Sequence, residues 1–300
     1  MSYPEHIKES FFKYTTASTA IKILESSTVR YSSPLMFNDP FDVQSGLHFS
    51  FDIESLPEKI LQRFEDLIAS DTKPTFPEDN PWGQAVSLMW EKKATHGFPK
   101  QRFGETSRPL FAFVKEQTAL FQSQYQQAWN DFLPRLRVFS IAEERDNLLM
   151  WSHYGQSHTG VVFEFRVLPE EDNPLCVAEP VIYRKAPLPL FREEQLLEII
   201  FGLSPLDTTE LYYQYARVKS DVWEYEREWR VWDLLRNREE PLHSDYPLRT
   251  KEIGAVYLGC KIATEDKKTI VSLVSNKYPE AKLFQAQRAV DEYRLRFDAM

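Results

Sequence analysis

The chain has little cysteine: Cys176 and Cys260 are the two among 300 residues, far apart and in no CxxC pairing. That spacing excludes a disulfide framework and a cysteine-based zinc site, and it points to a reduced, cytoplasmic setting. Long apolar runs are missing as well. The opening MSYPEHIKESFFKY lacks the apolar stretch of a signal peptide. Nothing later approaches the roughly twenty apolar residues needed to cross a bilayer, so no membrane partner is expected. Positive charge is in deficit, with 36 Lys and Arg against 45 Asp and Glu. Counterion release rewards basic surfaces, so nonspecific binding to nucleic acid is disfavoured, although a local basic groove stays compatible with the composition. HExxH, GxSxG, GxGxxG and the P-loop are all absent. The zincin, hydrolase, dinucleotide-fold and NTPase readings therefore have no support.

What the chain does have is core-forming material: 42% apolar residues, including seven Trp, fourteen Tyr and twenty-one Phe. Phe11 to Tyr14 is short, aromatic and strand-prone. Thr16 or Ser18 can cap a helix whose apolar stripe is Ala20, Ile21 and Leu24. Thr28 to Pro34 returns as a strand, and FNDPFD (Phe37 to Asp42) follows as an Asx-type turn. Helical periodicity covers Leu56 to Ala69, Trp82 to Lys93 and Leu110 to Phe132. Strand character resumes at Arg137 to Ile141 and Gly160 to Phe165, with a short helix in NLLMWSHYG between them. Further strands are expected at Pro180 to Tyr183, Glu224 to Trp232 and Ala255 to Gly259, and helices at Glu193 to Leu203 and Thr264 to Asn276. Lys282 to Gln287 and Tyr293 to Phe297 read as a terminal hairpin. Strands at both ends with helices between them predict an α+β fold. Its core is a mixed or antiparallel sheet, carried by a single domain over 1–300 with a mostly helical insertion at 52–135.

EYEREWRVW is the most informative stretch. Read as one strand, it projects Glu226, Glu228 and Arg230 to one face, an arrangement costly to bury unless the charges are paired or used. The alternative is an exposed, salt-bridged face. FNDPFD offers Asn38, Asp39 and Asp42, either as a turn anchored by Phe37 and Phe41 or as functional carboxylates. MWSHYG offers Ser152, His153 and Tyr154, while Met150 and Trp151 are expected in the core.

Taken in order, FFKYTTASTAIKILESSTVRYSSPLMFNDPFD, VFSIA, NLLMWSHYGQSHTGVVFEF, YEREWR and EIGAVYLGC resemble a bacterial family, the domain of unknown function numbered 2971. More remotely, KYTTASTAIKILESSTVRYSS is similar to the opening of toxin-type ADP-ribosyltransferase folds. Those enzymes carry a polar group on the first strand, a Ser or Tyr element in the middle and a late-strand glutamate, often as E-x-E. The resemblance implies Glu228 and Glu226 as catalytic residues. It implies Lys13, Tyr14, Thr15, Ser140, Tyr154 and Arg230 as residues that bind NAD, here a substrate. No metal is expected. The implied partners are a nucleotide-type small molecule and a macromolecular acceptor, in a toxin or phage-defence role by analogy with similar folds. Lys13 departs from the His or Arg usual at its place, and a charged lysine cannot accept a hydrogen bond.

The residue types suit that chemistry. Cleavage of the nicotinamide–ribose bond passes through an oxocarbenium-like state that a carboxylate stabilises, and a second glutamate can orient or deprotonate the acceptor. Two other readings stay open. One is a metal-dependent nuclease using Asp39 or Asp42 with Glu164, Glu226 or Glu228. The other is a noncatalytic nucleotide sensor or interaction module.

Overall fold

Two apolar faces are already written into the first strand. Phe11 packs into one hydrophobic cluster, while Phe12 and Tyr14 pack into another, as the alternation of side chains along a strand requires. The computed structural model describes residues 8–98, 100–236 and 241–300. In chain order it begins with β1 (Ser10–Thr15), α1 (Ala17–Ser26) and β2 (Thr28–Ser32), followed by the helices α2 (Leu56–Ala69), α3 (Pro81–His96), α4 (Lys100–Ser107) and α5 (Leu110–Phe132). Then come β3 (Leu136–Ala142), α6 (Leu148–His153), β4 (Val161–Arg166), β5 (Glu179–Pro180), β6 (Ile182–Arg184), α7 (Glu193–Ile200) and α8 (Thr208–Ala216). The chain ends through β7 (Val218–Ser220), β8 (Glu228–Leu234), β9 (His243–Pro247), β10 (Ile253–Leu258), α9 (Thr264–Lys277), β11 (Lys282–Arg288) and β12 (Leu295–Ala299).

The chain divides into two units, one of residues 1–44, 132–186 and 217–300, the other of 45–131 and 187–216. The first holds a ten-stranded sheet in the order β12-β11-β10-β4-β1-β3-β2-β9, with β8 paired to β3 and β5. It is mostly antiparallel; β10 and β11 run parallel. The protein is therefore α+β, as expected. β4 and β10 lie at its centre with nearly every side chain buried, which explains the apolar residues that dominate both. On one face α1 contributes Ala17, Ala20 and Leu24, and α9 contributes Ile270 and Val274. On the other, α6 contributes Met150 and Trp151. Thr16 caps α1 by accepting from the Thr19 amide, and Ser27 closes the helix in the left-handed region at φ 52°.

The second unit is helical. α2 buries Leu56, Ile60, Phe64, Leu67 and Ile68 along one stripe. The Trp129 ring packs edge-on against Tyr212 and Tyr215, with centroids 5.3 and 5.4 Å away. Helices α7 and α8 join α2 to α5 here, so this unit draws on residues beyond the stretch 52–135.

Two sequence expectations are corrected. Pro180 to Tyr183 is not one strand: Glu179 and Pro180 pair with β8, whereas Ile182 to Arg184 pair with β7 in a separate two-stranded sheet. Proline has no N–H to continue a ladder, and the break falls directly after it. Glu224 to Trp232 is not one strand either. Asp221 to Glu226 form a short 3-10 helix, Arg227 turns through φ 44°, and the strand begins only at Glu228.

Gly160 sits where β4 leaves the preceding turn, and a Cβ there would lie 2.2 Å from the Thr15 carbonyl oxygen. Both groups are backbone, so neither yields cheaply. Gly160→Ala is expected to cost about 1–3 kcal/mol or more, read as a lowered urea midpoint with unchanged slope.

Candidate functional site

One edge of β3 is paired along its whole length with β8, from Leu136 opposite Leu234 to Ala142 opposite Glu228. Its other edge is shared. Val138 meets Ser32 of β2, Ala142 meets Phe12 of β1, and each contact is a single residue pair. Ser140 falls between these two points. The sheet opens there into a cleft of about 480 Å³, lined by β1, β2, β3, the turn after β2, α6 and the Lys219 to Glu228 stretch.

Five buried ionisable side chains back this cleft. Lys219 Nζ lies 2.6 Å from Glu226 Oε2, 2.9 Å from Glu228 Oε2 and 3.3 Å from Asp42 Oδ2. Arg230 grips Glu228 with Nε at 2.7 Å and Nη2 at 3.0 Å, and its Nη2 also reaches Asp42 Oδ2 at 2.6 Å. The Tyr154 hydroxyl donates to Glu226 Oε1 at 2.7 Å. The Glu228 amide donates to the Tyr183 hydroxyl at 2.8 Å. Asp42 Oδ1 is buried and has no hydrogen-bond partner among the described residues. Strained backbone flanks the cluster on both sides: Val43 follows Asp42 at φ 67°, and Arg227 separates the two glutamates at φ 44°. A β-branched residue in the left-handed region is unusual, and such strain persists only where surrounding contacts enforce it.

The environment pushes the two glutamates apart. Burial favours the neutral form of both. At Glu228 that tendency is overcome by Arg230 and Lys219, with a further hydrogen bond from Ser140, so its acidity is strengthened. At Glu226 burial prevails over Lys219, and the Glu228 charge adds to it, so this carboxyl is raised. Burial alone would lower Lys219 and Arg230, but the Glu228 and Asp42 carboxylates outweigh it and both stay charged. Burial also raises the Tyr154 hydroxyl, with the Glu226 charge adding to the effect. Lys13 is brought down to about 8 by burial, which outweighs the attraction of Glu228 and Glu226.

The structure brings Lys13, Ser140, Tyr154, Glu226 and Glu228 to one cleft, with Tyr14 in its lining. Glu226, Glu228 and Arg230 do converge: Glu228 and Arg230 share a face by alternation along β8, whereas Glu226 is brought in by the turn at Arg227. Tyr14 commits its hydroxyl, which donates to the Glu144 carbonyl at 2.7 Å and accepts from the Asn147 amide at 3.3 Å. That hydroxyl seats the N-terminus of α6, while the Tyr14 ring stays in the lining of the cleft. Thr15 and Arg230 are placed elsewhere than the sequence reading expects: Thr15 is buried opposite Val161, and Arg230 is fully buried behind Glu228, so neither lines the cleft. Asp39 caps its own turn by accepting from the Phe41 amide, and Glu164 accepts from Tyr257. Neither lines the cleft. Lys219 was missed in the sequence; a lysine in the three-residue strand Val218–Ser220 has no local signature. Asp42 was visible in FNDPFD, but nothing local separated turn geometry from ion pairing.

Three carboxylates around one point invite a divalent cation, yet Lys219 places its own ammonium there. Among the described residues, no group of His, Cys, Asp and Glu is arranged to hold a metal ion. Nor, among them, is any helix long and apolar enough to cross a membrane.

Residues 150–231 match a family described as a protein of unknown function, DUF2971. The match runs from α6 into β8 and so takes in Tyr154, Lys219, both glutamates and Arg230, while Lys13, Asp42 and Ser140 lie before it. No curated protein and no solved structure matches the chain.

Arg230→Met leaves Asp42 and Glu228 buried beside one lysine. It is expected to destabilise the protein by about 3–5 kcal/mol in chemical denaturation. Lys13 gives a pH signature of opposite origin. Its folded value of about 8 lies below its ordinary 10.5, so between those limits the unfolded chain holds the extra proton and stability rises with pH. Lys13→Met removes that rise. Urea midpoints of the two proteins at about pH 7.5 and about pH 10 measure the difference.

Proposed function

We propose that the cleft binds a nucleotide of the NAD type and breaks its nicotinamide–ribose bond, passing the ADP-ribosyl group to water or to a macromolecular acceptor. The observation that carries the reading is the meeting of Lys13, from the first strand, with Glu226 and Glu228, from the far end of the chain, around one cleft.

The two glutamates suit different tasks. Glu228 keeps its negative charge, because Arg230 and Lys219 favour the ionised form, and a fixed carboxylate favours the positive ribose of the transition state. Glu226 has a raised affinity for protons, which suits the group that takes one up. In the proposed reaction the C1′–N bond breaks and its electron pair leaves with neutral nicotinamide. The acceptor oxygen or nitrogen then attacks C1′ and gives its proton to Glu226. Tyr154 and Lys219 hold Glu226 from either side, so its position does not depend on the ligand. A binding-only role is favoured by one observation: both oxygens of Glu228 are already engaged by Arg230 and Lys219. Turnover separates the two.

Purified protein incubated with NAD is expected to release nicotinamide, measured by chromatography. Glu226→Gln should lower that rate about 10²–10⁴-fold while NAD still stabilises the fold in a thermal shift. NAD binding without nicotinamide release supports the binding-only role, and a folded protein that neither binds nor cleaves NAD ends the reading.

A further inference from the structure

Three cations line the cleft, and two of them have carboxylate partners. Lys219 is held by Asp42, Glu226 and Glu228. Arg30 makes a two-bond contact with Asp245, at 2.9 and 3.1 Å. Lys13 is different. Its ammonium donates to one neutral group, the Ser140 carbonyl, at 2.6 Å, and lies 5.0 Å from the Phe139 ring centroid. Among the described residues it forms no ion pair. An ammonium has three N–H donors, and one of them is spent on the protein.

Lys13 is half-buried, and a cation drawn partly out of water without an ion pair is costly. Burial is indeed the dominant influence on Lys13, stronger than the attraction of both glutamates. An apolar side chain at this position would spare the fold that cost. We propose that Lys13 is the anion subsite of the cleft, where phosphate oxygens of the ligand complete its hydrogen bonds and select phosphorylated over unphosphorylated nucleosides. The inference rests on the nucleotide reading of this cleft and adds what that reading leaves open, the group that recognises the ligand's charge. The neighbouring carboxylates do not forbid an anion, because Lys219 and Arg230 already hold them. Lys13 lies in the lining of the cleft, against the carbonyl edge of β3. Charge-assisted bonds to phosphate oxygens are short and strong, and a lysine meets phosphate as a point charge without needing the fork geometry of arginine.

Nicotinamide mononucleotide and nicotinamide riboside differ by one phosphate, which makes them the test, with inorganic pyrophosphate as a third probe. Calorimetry on the full chain is expected to show about tenfold or greater preference for the mononucleotide. Lys13→Met should erase that preference and the pyrophosphate binding, and Lys13→Arg should retain part of both. A folded Lys13→Met protein that keeps the wild-type preference overturns the proposal, as does a wild-type protein that binds neither anion. Should Lys13→Met fail to fold, limited acetylation of the wild type with acetic anhydride decides: pyrophosphate must slow modification of Lys13, and an unchanged rate overturns the proposal. Lys13-dependent pyrophosphate binding without NAD turnover keeps this inference and ends the proposed reaction. NAD turnover with no preference for the phosphorylated probe does the reverse.

Discussion

Three carboxylates and two cations, drawn from the turn after β2, from β7, from the 3-10 segment and from β8, close on one another in the interior of the first unit. None of the five could be buried alone. A lone carboxylate or ammonium in that position would neutralise or draw in water, and each instead finds at least one opposite charge within 3.3 Å. Much of the local backbone follows from this requirement. Arg227 adopts a left-handed conformation that brings Glu226 back beside Glu228, and Val43 does the same just after Asp42. Strain of this kind holds only because the ion pairs determine where the side chains must go.

The same cluster decides what the cleft can do. Lys219 and Arg230 are not distributed evenly over the carboxylates: Glu228 receives both, while Glu226 shares Lys219 and otherwise relies on the Tyr154 hydroxyl. That asymmetry strengthens the acidity of Glu228 and weakens that of Glu226. Burial raises both, so the opposite outcome at Glu228 comes from its cationic neighbours and the Ser140 hydrogen bond. Two identical side chains acquire distinct chemistry from different sets of partners.

How far this was legible in the sequence depends on the range of the interaction. Elements fixed by local pattern were readable, among them α2 from its apolar stripe and β4 and β10 from their β-branched and aromatic residues. The hairpin of β11 and β12 was readable too. EYEREWRVW was misread as one strand because the left-handed turn at Arg227 has no glycine or asparagine to announce it; the contact that enforces it lies with Lys219. The convergence of Lys13 with the glutamates followed from a resemblance in the order of motifs, which composition alone does not supply. Lys219 left no trace, since a lysine between Val218 and Ser220 looks the same whether it faces solvent or three carboxylates. Tyr14 shows the reverse case, a polar aromatic on the right strand whose hydroxyl is used to seat a helix.

The sheet itself forks at β3, whose free edge touches β2 at Val138 and β1 at Ala142 and bridges the space between them with Ser140. Main chain that would be zipped to a neighbouring strand is thereby left facing the cleft, and Lys13 takes one such carbonyl. A guest entering the fork meets amide and carbonyl groups common to all residues, alongside a few chosen side chains. Grip can then survive sequence drift along the strand edges, while selectivity rests on the handful of groups that reach in from elsewhere.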